Sequence, residues 1–239
     1  MRRPALAAGL FFCVSGATAD AVLHVVIPTL NSADRLARLL PQLGDTRVIV
    51  ADGGSTDGTL AVAARHGASL AVGASGRGPQ LRLGAHLATL SGNEGDWFLF
   101  LHSDSVLPSD WRVVVDRARL RDVPRYFRLK ADAPGWRARL FERLVAFRCW
   151  GWGLPYGDQG LLISRRRYAA VGGFKPWPLF EDVDMVDRLP DLAALPARLG
   201  TDVSHYMAGG MWARGRRNLA LLQRFRAGES PHSLAADYR

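Results

Sequence analysis

The chain reads Val48-Ile49-Val50-Ala51-Asp52-Gly53-Gly54-Ser55-Thr56-Asp57-Gly58, a short apolar run that ends abruptly in a polar, glycine-rich loop. β-Branched residues in a short, continuous apolar run are typical of a strand buried on both faces of a sheet. Aspartate and glycine favour the turn that ends such a strand. A helix is predicted after the loop, to about His66, so this stretch predicts a strand–loop–helix unit.

The same unit recurs on both sides of this stretch. Ser32 is placed to cap a helix that runs to about Leu40, and Pro79 is placed to open another. Strands that alternate with helices predict an α/β, Rossmann-like fold with a mainly parallel sheet and right-handed crossovers. Three more apolar runs supply its strands: residues 22–27, 68–72 and 97–101.

The second half of the chain is less regular. Strands are predicted at 125–130 and 161–163, a helix at 136–150, and a further helix from Glu181 to about Leu189. Apolar residues at helical spacing form a stripe that usually faces a core. In the helix at 136–150 we therefore interpret three residues as core packing: Leu140, Leu144 and Phe147.

The length of 239 residues fits one domain. We expect it at residues 21–230, with a first half at 21–120 and a second half at 121–230. Residues 1–20 are an N-terminal extension or a signal-like segment, because Met1-Arg2-Arg3 precedes a short apolar run. That run is too short to span a bilayer.

The composition excludes several classes of protein. Hydrophobic residues make up 48% and charged residues 22%, which is typical of a globular domain. Cys13 and Cys149 lie far apart, so neither a disulfide scaffold nor a cysteine zinc site is expected. The net charge of +9 suits partners that carry phosphate. No nucleic-acid motif accompanies the charge, so we expect no nucleic-acid partner.

Polar loops follow three of the predicted strands, at residues 28–32, 52–58 and 102–105. The carboxyl ends of parallel strands meet at one edge of a sheet, where ligands bind in such folds. The loop at 52–58 is neither an EF-hand nor a P-loop, because it lacks the required ligands and the Gly-Lys-Ser/Thr sequence. It is either a simple turn or a nucleotide site, in which a carboxylate accepts from a base imide or a ribose hydroxyl.

Acidic residues occupy three separate loops. Asp104 can hold Mg²⁺ or Mn²⁺ with donor pyrophosphate completing the shell, or it can simply cap a helix. Glu181-Asp182 precedes a helix, where acids are also favoured by the helix dipole. Asp158-Gln159 lies in a glycine-rich loop. Three such loops suggest separate roles in metal binding, proton transfer and acceptor contact.

Four motifs occur in a specific order: Val26-Ile-Pro-Thr-Leu-Asn31, Val50-Ala-Asp-Gly-Gly-Ser-Thr-Asp-Gly-Thr59, Phe98-Leu-Phe-Leu-His-Ser-Asp104 and Phe180-Glu-Asp182. With them the chain resembles a family 2 glycosyltransferase of the A-type nucleotide-sugar (GT-A) fold, from about residue 22 to 225. Leu154-Pro-Tyr-Gly-Asp-Gln-Gly160, Gly172-Gly-Phe174 and Pro178-Leu-Phe-Glu-Asp182 are similar to the bacterial subgroup of arsenosugar-biosynthesis-type enzymes. In this fold the first half binds the nucleotide sugar and the C-terminal half faces the acceptor.

The resemblance implies a role for each matching residue. Asp182 is the general base, with Glu181 beside it, and Asp104 resembles the last acid of the metal-binding DxD motif. His102 and His205 are weaker metal candidates. Donor binding falls to six residues: Pro28, Thr29, Asn31, Asp52, Arg77 and Ser103. The acceptor side falls to three: Asp158, Gln159 and Trp177.

The chain departs from the family pattern at three positions. His102 stands where many members have the first DxD acid, which leaves its contact with ribose or metal open. Arg82 and His86 replace small or amide residues. We therefore expect that the preferred sugar donor can differ from that of other family members.

We expect an inverting transfer from a nucleotide-diphosphate sugar, with UDP-sugar favoured, to an unidentified hydroxyl acceptor. Mg²⁺ or Mn²⁺ would stabilise the leaving diphosphate, and no residue is placed to act as the nucleophile of a double displacement. A sugar nucleotidyltransferase and a non-catalytic nucleotide-sugar-binding protein are the alternatives. Nucleotide sugars are cytoplasmic, so we expect a cytoplasmic protein. Arginines near the C-terminus suit either a membrane-surface helix at the inner face or an ordinary packed helix.

Overall fold

Seven strands form one sheet in the computed structural model, which describes residues 21–90, 92–204 and 210–238. Their order across the sheet is β3-β2-β1-β4-β6-β5-β7. The strands are β1 (Leu23–Thr29), β2 (Arg47–Asp52), β3 (Ser69–Val72), β4 (Trp97–Phe100), β5 (Arg125–Ala131), β6 (Leu161–Ser164) and β7 (Ala193–Thr201).

Strands β1 to β4 are mutually parallel, whereas β6 runs antiparallel to both β4 and β5. Every residue of β1, β4 and β6 is buried, as a sheet covered on both faces requires. The predicted α/β fold with a mainly parallel sheet is confirmed. The carboxyl ends of β1, β2 and β4 lie together and bring the three polar loops to one edge.

Helices cover both faces of the sheet. On one face α1, α2 and α4 pack on the core, and on the other α3, α6 and α7 do so. Gly84 allows α3 to lie close to β1, since a Cβ atom there would stand 2.5 Å from a methyl of Val26. The helices are α1 (Ala33–Leu43), α2 (Thr59–Arg65), α3 (Arg77–Leu90), α4 (Trp111–Ala118), α5 (Trp136–Trp152), α6 (Arg165–Ala170), α7 (Glu181–Asp187), α8 (Met211–Arg226) and α9 (Pro231–Tyr238), with a 3₁₀ turn at Gly157–Gln159.

The start of α1 differs from the prediction. The Ser32 hydroxyl does not cap the helix and instead donates to the carbonyl of Leu30, 3.1 Å away. The backbone N–H of Ala33 is satisfied by the Asp57 carboxylate at 3.2 Å. Because Asp57 also accepts from the backbone N–H of Thr59 at 2.9 Å, one side chain serves the first turns of α1 and α2.

The interpretation of the α5 stripe as core packing is wrong. Phe147 is 58% exposed and Leu144 is 39% exposed, whereas the buried residues of α5 are Ala138 and Val145. Leu140 is half-buried. The helix therefore packs through Ala138, Val145 and the half-buried Phe141, and it turns Leu144 and Phe147 to solvent. Periodicity alone does not reveal this choice of side.

Strand β7 was not predicted from the sequence. It contains Pro196, and proline within an apolar run argues against a strand. The structure accommodates it at the sheet edge, where β5 is the strand that pairs with β7 and Gly200 adds an isolated bridge to Val106. The pairing is irregular between Tyr126 and Arg128, opposite Pro196, so the missing N–H falls at a break in the ladder.

The arginine-bearing C-terminal helix packs on the domain. Leu221 and Leu222 of α8 are buried in a small core with Phe180 and Val183 of the α7 region. This contact favours the packed-helix alternative for α8. Across the described parts of the chain, none of the helices combines the length and hydropathy that crossing a bilayer requires.

Candidate active site

A cleft of about 1000 Å³, including its open mouth, lies at the edge where the polar loops meet. It brings together residues from the loop after β4, from α3, from the 3₁₀ turn and from α7. Six of the residues predicted for the site line it: Arg77, His102, Asp104, Asp158, Glu181 and Asp182. Asp104 and Asp182, the predicted metal ligand and the predicted base, therefore face one cavity.

Asp182 is held in place by backbone donors. Its Oδ2 accepts from the N–H of Gly157 and its Oδ1 from the N–H of Val183, both at 2.8 Å. Burial alone would raise the pKa of this carboxyl. The charge of Arg77 and the two backbone hydrogen bonds outweigh burial, so the pKa lies below its usual value and the group is ionised at neutral pH.

Arg77 joins the two acids of α7. Its Nη2 lies 2.9 Å from Asp182 Oδ2, and its Nε donates to Glu181, whose side chain is 1% exposed. Burial raises the pKa of Glu181, and the guanidinium opposes that shift. Arg77 thus places one positive charge between two buried carboxylates and offsets their mutual repulsion.

Arg77→Ala should lower the free energy of unfolding at pH 7 by about 2–4 kcal/mol, because Glu181 is left as an unpaired buried charge. The expected loss of unfolding free energy is limited because the Arg77 side chain is itself 36% exposed, so solvent already screens part of its charge. Without Arg77, the pKa of folded Glu181 rises further above its unfolded value. The loss is therefore largest at neutral pH and shrinks as pH falls toward 4, as the carboxyl protonates.

Urea unfolding of Arg77→Ala at pH 7 and pH 4 measures this effect. Arg77→Ala/Glu181→Gln should recover part of the stability at pH 7, since the second change removes the unpaired charge. An equal loss at both pH values, with no recovery in the double variant, would contradict the assignment.

The backbone before α7 is constrained. Phe180 adopts a left-handed conformation with φ of 62°, which is uncommon for a residue other than glycine. Its ring stacks on Phe225 of α8 at a centroid separation of 4.9 Å, and this packing holds the conformation. Such a conformation costs about 1–3 kcal/mol and is often found at functional sites. Here it directs Glu181 and Asp182 into the cleft.

His102 lines the cleft together with Asp104 and Asp182. Burial and then the charge of Arg77 lower the pKa of its imidazole to about 3, so the ring is neutral at physiological pH. A Cβ atom on Gly157 would stand 3.1 Å from His102 Nε2 and 3.3 Å from Asp182 Oδ2. Glycine at 157 therefore allows the 3₁₀ turn to approach both side chains.

Asp104 stands near two groups that the sequence analysis did not identify. Burial raises the pKa of Asp104, the charge of Arg35 on α1 lowers it, and the charge of Asp202 raises it again. Asp202 follows β7 and lines the same cleft. Two carboxylates that repel each other beside an arginine suit a divalent cation that is shared with an anionic ligand.

The protein groups alone do not complete a metal shell. Among the described residues, no cluster of three or more His, Cys, Asp or Glu side chains is arranged to hold a metal ion. Oxygen ligands are nevertheless available, because Asp104, Asp158 and Asp202 line the cleft. The buried Oδ1 of Asp158 has no hydrogen-bond partner within residues 21–90, 92–204 and 210–238. The site therefore fits a hard cation whose shell is completed by substrate oxygens.

Hydrogen bonds connect the first two polar loops, at residues 28–32 and 52–58. Asp52 is fully buried, and its carboxylate accepts from the Thr29 hydroxyl at 2.9 Å. It also accepts from the backbone N–H groups of Gly54 and Ser55 and from the Ser55 hydroxyl. These bonds lower its pKa against the effect of burial. Asn31 is exposed and accepts from the N–H of Thr56 at 2.9 Å. In this state Asp52 organises the loops and does not reach the cleft itself.

The remaining predicted residues are placed as follows. Pro28 and Ser103 are buried near the strand ends. Gln159 is 1% exposed, and its amide bonds to the Phe127 carbonyl and to Arg148, which is a scaffold position away from the cleft. Trp177 is half-buried, and its ring meets Phe225. His205 lies outside the described residues.

Sequence reasoning missed several residues that line the cleft: Tyr156, Thr201, Asp202, Asn218 and Tyr238. Asp202 follows a strand that was not predicted, so its position after a strand gave no signal. Asn218 and Tyr238 come from α8 and α9, which carry no motif. Tyr156 stood within a quoted motif and was not assigned a role.

The sequence profile of glycosyl transferase family 2 matches residues 24–168, more than half of the chain. The match includes Asp52, Arg77, Asp104 and Asp158. No curated protein sequence matches the chain significantly.

Solved structures of glucosyl-3-phosphoglycerate synthase from Mycobacterium tuberculosis are similar to the chain. The complex with Mn²⁺, UDP and glucosyl-3-phosphoglycerate is 22% identical in sequence, with a TM-score of 0.53. The matched region covers 77% of this chain and 72% of the synthase chain. The complex with Mg²⁺ and UDP is 20% identical, with the same coverage and a TM-score of 0.55. The complex with Mn²⁺, UDP-glucose and phosphoglyceric acid is 21% identical over 84% and 76%, with a TM-score of 0.54.

At this identity the structural likeness establishes the GT-A fold, and the family profile establishes the family. Together they favour the predicted glycosyltransferase over the nucleotidyltransferase and the non-catalytic alternative. The chain belongs to glycosyl transferase family 2.

Proposed function

We propose that the enzyme transfers a sugar from a UDP-sugar to a hydroxyl acceptor with inversion and with the help of Mg²⁺ or Mn²⁺. The observation that carries this proposal is that Asp104 and Asp182 line one cleft. One carboxylate is available to the leaving group and the other to the incoming hydroxyl. A single displacement needs that arrangement.

The metal assignment is supported by chemistry and by relatives. Asp104 and its neighbour Asp202 would hold the cation, with His205 as a further candidate outside the described residues. The related synthase from Mycobacterium tuberculosis binds Mn²⁺ or Mg²⁺ together with UDP. A bound divalent cation supplies Lewis-acid stabilisation of the negative charge that develops on the departing diphosphate.

Asp182 would accept the proton of the acceptor hydroxyl as the hydroxyl oxygen attacks the anomeric carbon. Its lowered pKa keeps it ionised, and the N–H groups of Gly157 and Val183 fix its orientation. Glu181, which is buried against Arg77, would position the base and would not touch the substrate. Asp158 lines the same cleft and remains the acceptor-side candidate.

The donor side would use the loops after β1 and β2. We propose that exposed Asn31 contacts the nucleoside, and that buried Asp52 shapes the loops through its hydrogen bonds to Thr29 and Ser55. Arg35, whose charge acts on Asp104, is a further candidate for the diphosphate. This division leaves residues 21–120 as the donor half and residues 121–230 as the acceptor half.

We also propose membership of the arsenosugar-biosynthesis-type subgroup, on the strength of Leu154-Pro-Tyr-Gly-Asp-Gln-Gly160 and Pro178-Leu-Phe-Glu-Asp182. Nucleotide sugars are found in the cytoplasm, so we propose that the enzyme acts there. Trp177 remains an acceptor-side candidate, since it directly precedes this second motif, which begins at Pro178.

A thermal-shift panel of UDP-, GDP- and dTDP-sugars, each with and without Mn²⁺, tests the donor. We expect a UDP-sugar with Mn²⁺ to raise Tm by about 5–10 °C at about 100 times its Kd. UDP-sugar alone and Mn²⁺ alone should give smaller shifts in Tm. The diphosphate supplies ligands to the metal ion, and the metal ion in turn binds the diphosphate, so each ligand raises the affinity for the other. A panel without any shift would contradict the proposal. Pyrophosphate release from a sugar phosphate and a nucleoside triphosphate would support a nucleotidyltransferase instead.

A further inference from the structure

The solvent face of α5 carries an unusual number of large apolar side chains. Trp150 is 83% exposed, Trp152 is 61% exposed, Phe147 is 58% exposed and Leu144 is 39% exposed. We call these four residues the α5 aromatic face. The ring of Phe147 contacts the two tryptophans of this face, with centroid separations of 6.0 Å to Trp150 and 6.5 Å to Trp152. The face is a continuous apolar surface and not a set of isolated residues.

The domain does not need this face for its own packing. Helix α5 packs on the sheet through Ala138 and Val145. Phe147 stands two residues from Val145, about 200° around the helix, and therefore points away from the sheet. A helix whose larger apolar stripe faces solvent leaves that stripe for an external partner.

Arginines line a cleft beside the same helix. An open space of about 1260 Å³ beside this packing contact is lined by residues of α5, β5 and β7. Four arginines line it, and Glu142 is the one acidic residue among its described lining residues, so the lining carries a formal charge of +3. We call it the arginine cleft. Trp150 belongs to both surfaces. The four arginines are Arg128, Arg139, Arg143 and Arg198.

Some of this positive charge is not neutralised within the domain. Glu142 contacts Arg139 and lies 3.6 Å from Arg198, so one carboxylate serves two guanidinium groups. Arg128 and Arg143 are exposed and make no ion pair with any of the described residues. Free guanidinium groups beside exposed aromatic rings are complementary to phosphates that border an apolar phase.

We propose that α5 docks the enzyme on an anionic lipid bilayer. The α5 aromatic face enters the boundary between headgroups and acyl chains, where tryptophan is favoured, and the arginine cleft receives lipid phosphates. This is peripheral docking by the outer face of one helix. It is independent of the reaction assigned to the active-site cleft.

The charge of the surface argues against a second copy of the chain as the partner. A two-fold dimer places the same patch on both sides of the interface, and this would set one arginine cleft beside another. The arrangement of the rings argues against single-stranded nucleic acid. Such ligands stack their bases on separate aromatic platforms in a groove, whereas Phe147, Trp150 and Trp152 pack on one another on a convex helix.

Docking through α5 would keep the active-site cleft close to the bilayer. Tyr156, which lines that cleft, is four positions after Trp152, and four residue steps span at most about 14 Å. Arg148 of α5 also lies over the Tyr156 ring, 3.6 Å from its centroid. The helix end and the cleft wall are therefore one connected structure.

Flotation with lipid vesicles tests the proposal on the full chain. We expect wild type to bind vesicles of equal phosphatidylglycerol and phosphatidylcholine at least about tenfold more tightly than vesicles of phosphatidylcholine alone. Phe147→Ser/Trp150→Ser should weaken binding about tenfold or more, because the inserted apolar area is lost. Arg128→Ala/Arg143→Ala should weaken it by a similar factor and reduce its dependence on salt.

Control pairs remove two exposed apolar side chains and two exposed positive charges elsewhere on the surface. Val72→Ser/Leu90→Ser changes two exposed apolar residues of β3 and α3, and Arg38→Ala/Arg65→Ala removes two exposed arginines of α1 and α2. Both pairs should bind vesicles as wild type does. Quenching of wild-type tryptophan fluorescence by brominated anionic lipid gives a readout that needs no variant, and we expect strong quenching.

Several results would overturn the proposal. They are absence of wild-type binding to anionic vesicles, absence of quenching by brominated lipid, or loss of binding in the control pairs equal to that in the α5 pairs. A sedimenting dimer that Phe147→Ser/Trp150→Ser dissociates would identify a second copy as the occupant. Oligonucleotide binding that the same variant abolishes would identify nucleic acid.

Discussion

Asp182→Asn should lower kcat by about 10²–10⁴-fold, the usual contribution of a general base. The amide keeps the shape of the side chain, and its oxygen still accepts a hydrogen bond from Gly157 or Val183. It cannot take the proton of the acceptor hydroxyl. Donor affinity should stay close to that of wild type, because the loss is confined to the transition state.

The measurement is initial-rate kinetics with the donor found in the thermal-shift panel, together with calorimetry of donor binding. Asp184→Asn is the matched control. Asp184 stands two residues further along α7, but its carboxylate pairs with Arg188. The control should retain wild-type turnover. Full turnover in Asp182→Asn would refute the assignment of the base.

Asp104→Ala should abolish the dependence of UDP binding on Mn²⁺, with a loss of more than about 100-fold in metal affinity, since even indirect partners of metal ligands cost 10–100-fold. The expectation follows from its place in the cleft, where the nearby charge of Asp202 makes bound cation favourable. Binding of UDP without metal should change much less.

Calorimetry with UDP, with and without Mn²⁺, and the electron paramagnetic resonance signal of free Mn²⁺ measure this loss. Asp110→Ala removes an exposed carboxylate at the start of α4 whose side chain caps nothing, and it should leave the metal dependence intact. If Asp104→Ala still binds UDP more tightly with Mn²⁺, the cation is held elsewhere.

The first half of the fold was predictable because its central strands, Leu23–Thr29 and Trp97–Phe100, are buried along their whole length. In the sequence such strands are continuous runs of apolar residues. Trp97–Phe100 is an example, with all four residues buried. The polar loop after each run then locates the functional edge of the sheet. The same logic fails for Ala193–Thr201, since Pro196 is tolerated only because the strand lies at the sheet edge, and edge position is a property of the tertiary structure.

The misinterpretation of α5 has a different cause. A stripe at helical spacing states that one side of a helix is apolar, but it does not state which side meets the sheet. Here Ala138 and Val145 fit the narrow space above β5, whereas Phe147 does not face it. The apolar stripe that was wrongly assigned to the core is the surface that we propose as a docking site. Functional surfaces often depart from the rule that apolar residues are buried.

The site was predictable where a motif follows a strand or opens a helix. Asp104 and Asp182 were located in this way, and both line one cleft. The ion pairs of Arg77 with Glu181 and Asp182 join residues more than 100 positions apart, and no local pattern encodes them. Asp202 and Tyr238 likewise reach the cleft only through tertiary packing.

The most direct measurement is anomalous diffraction from crystals soaked with Mn²⁺ and a non-hydrolysable UDP-sugar. We predict a manganese peak within coordination distance of Asp104, in contact with the diphosphate, and the sugar lying between that ion and Asp182. A manganese ion and nucleotide bound outside this cleft, or a sugar that Asp182 cannot approach, would contradict the account.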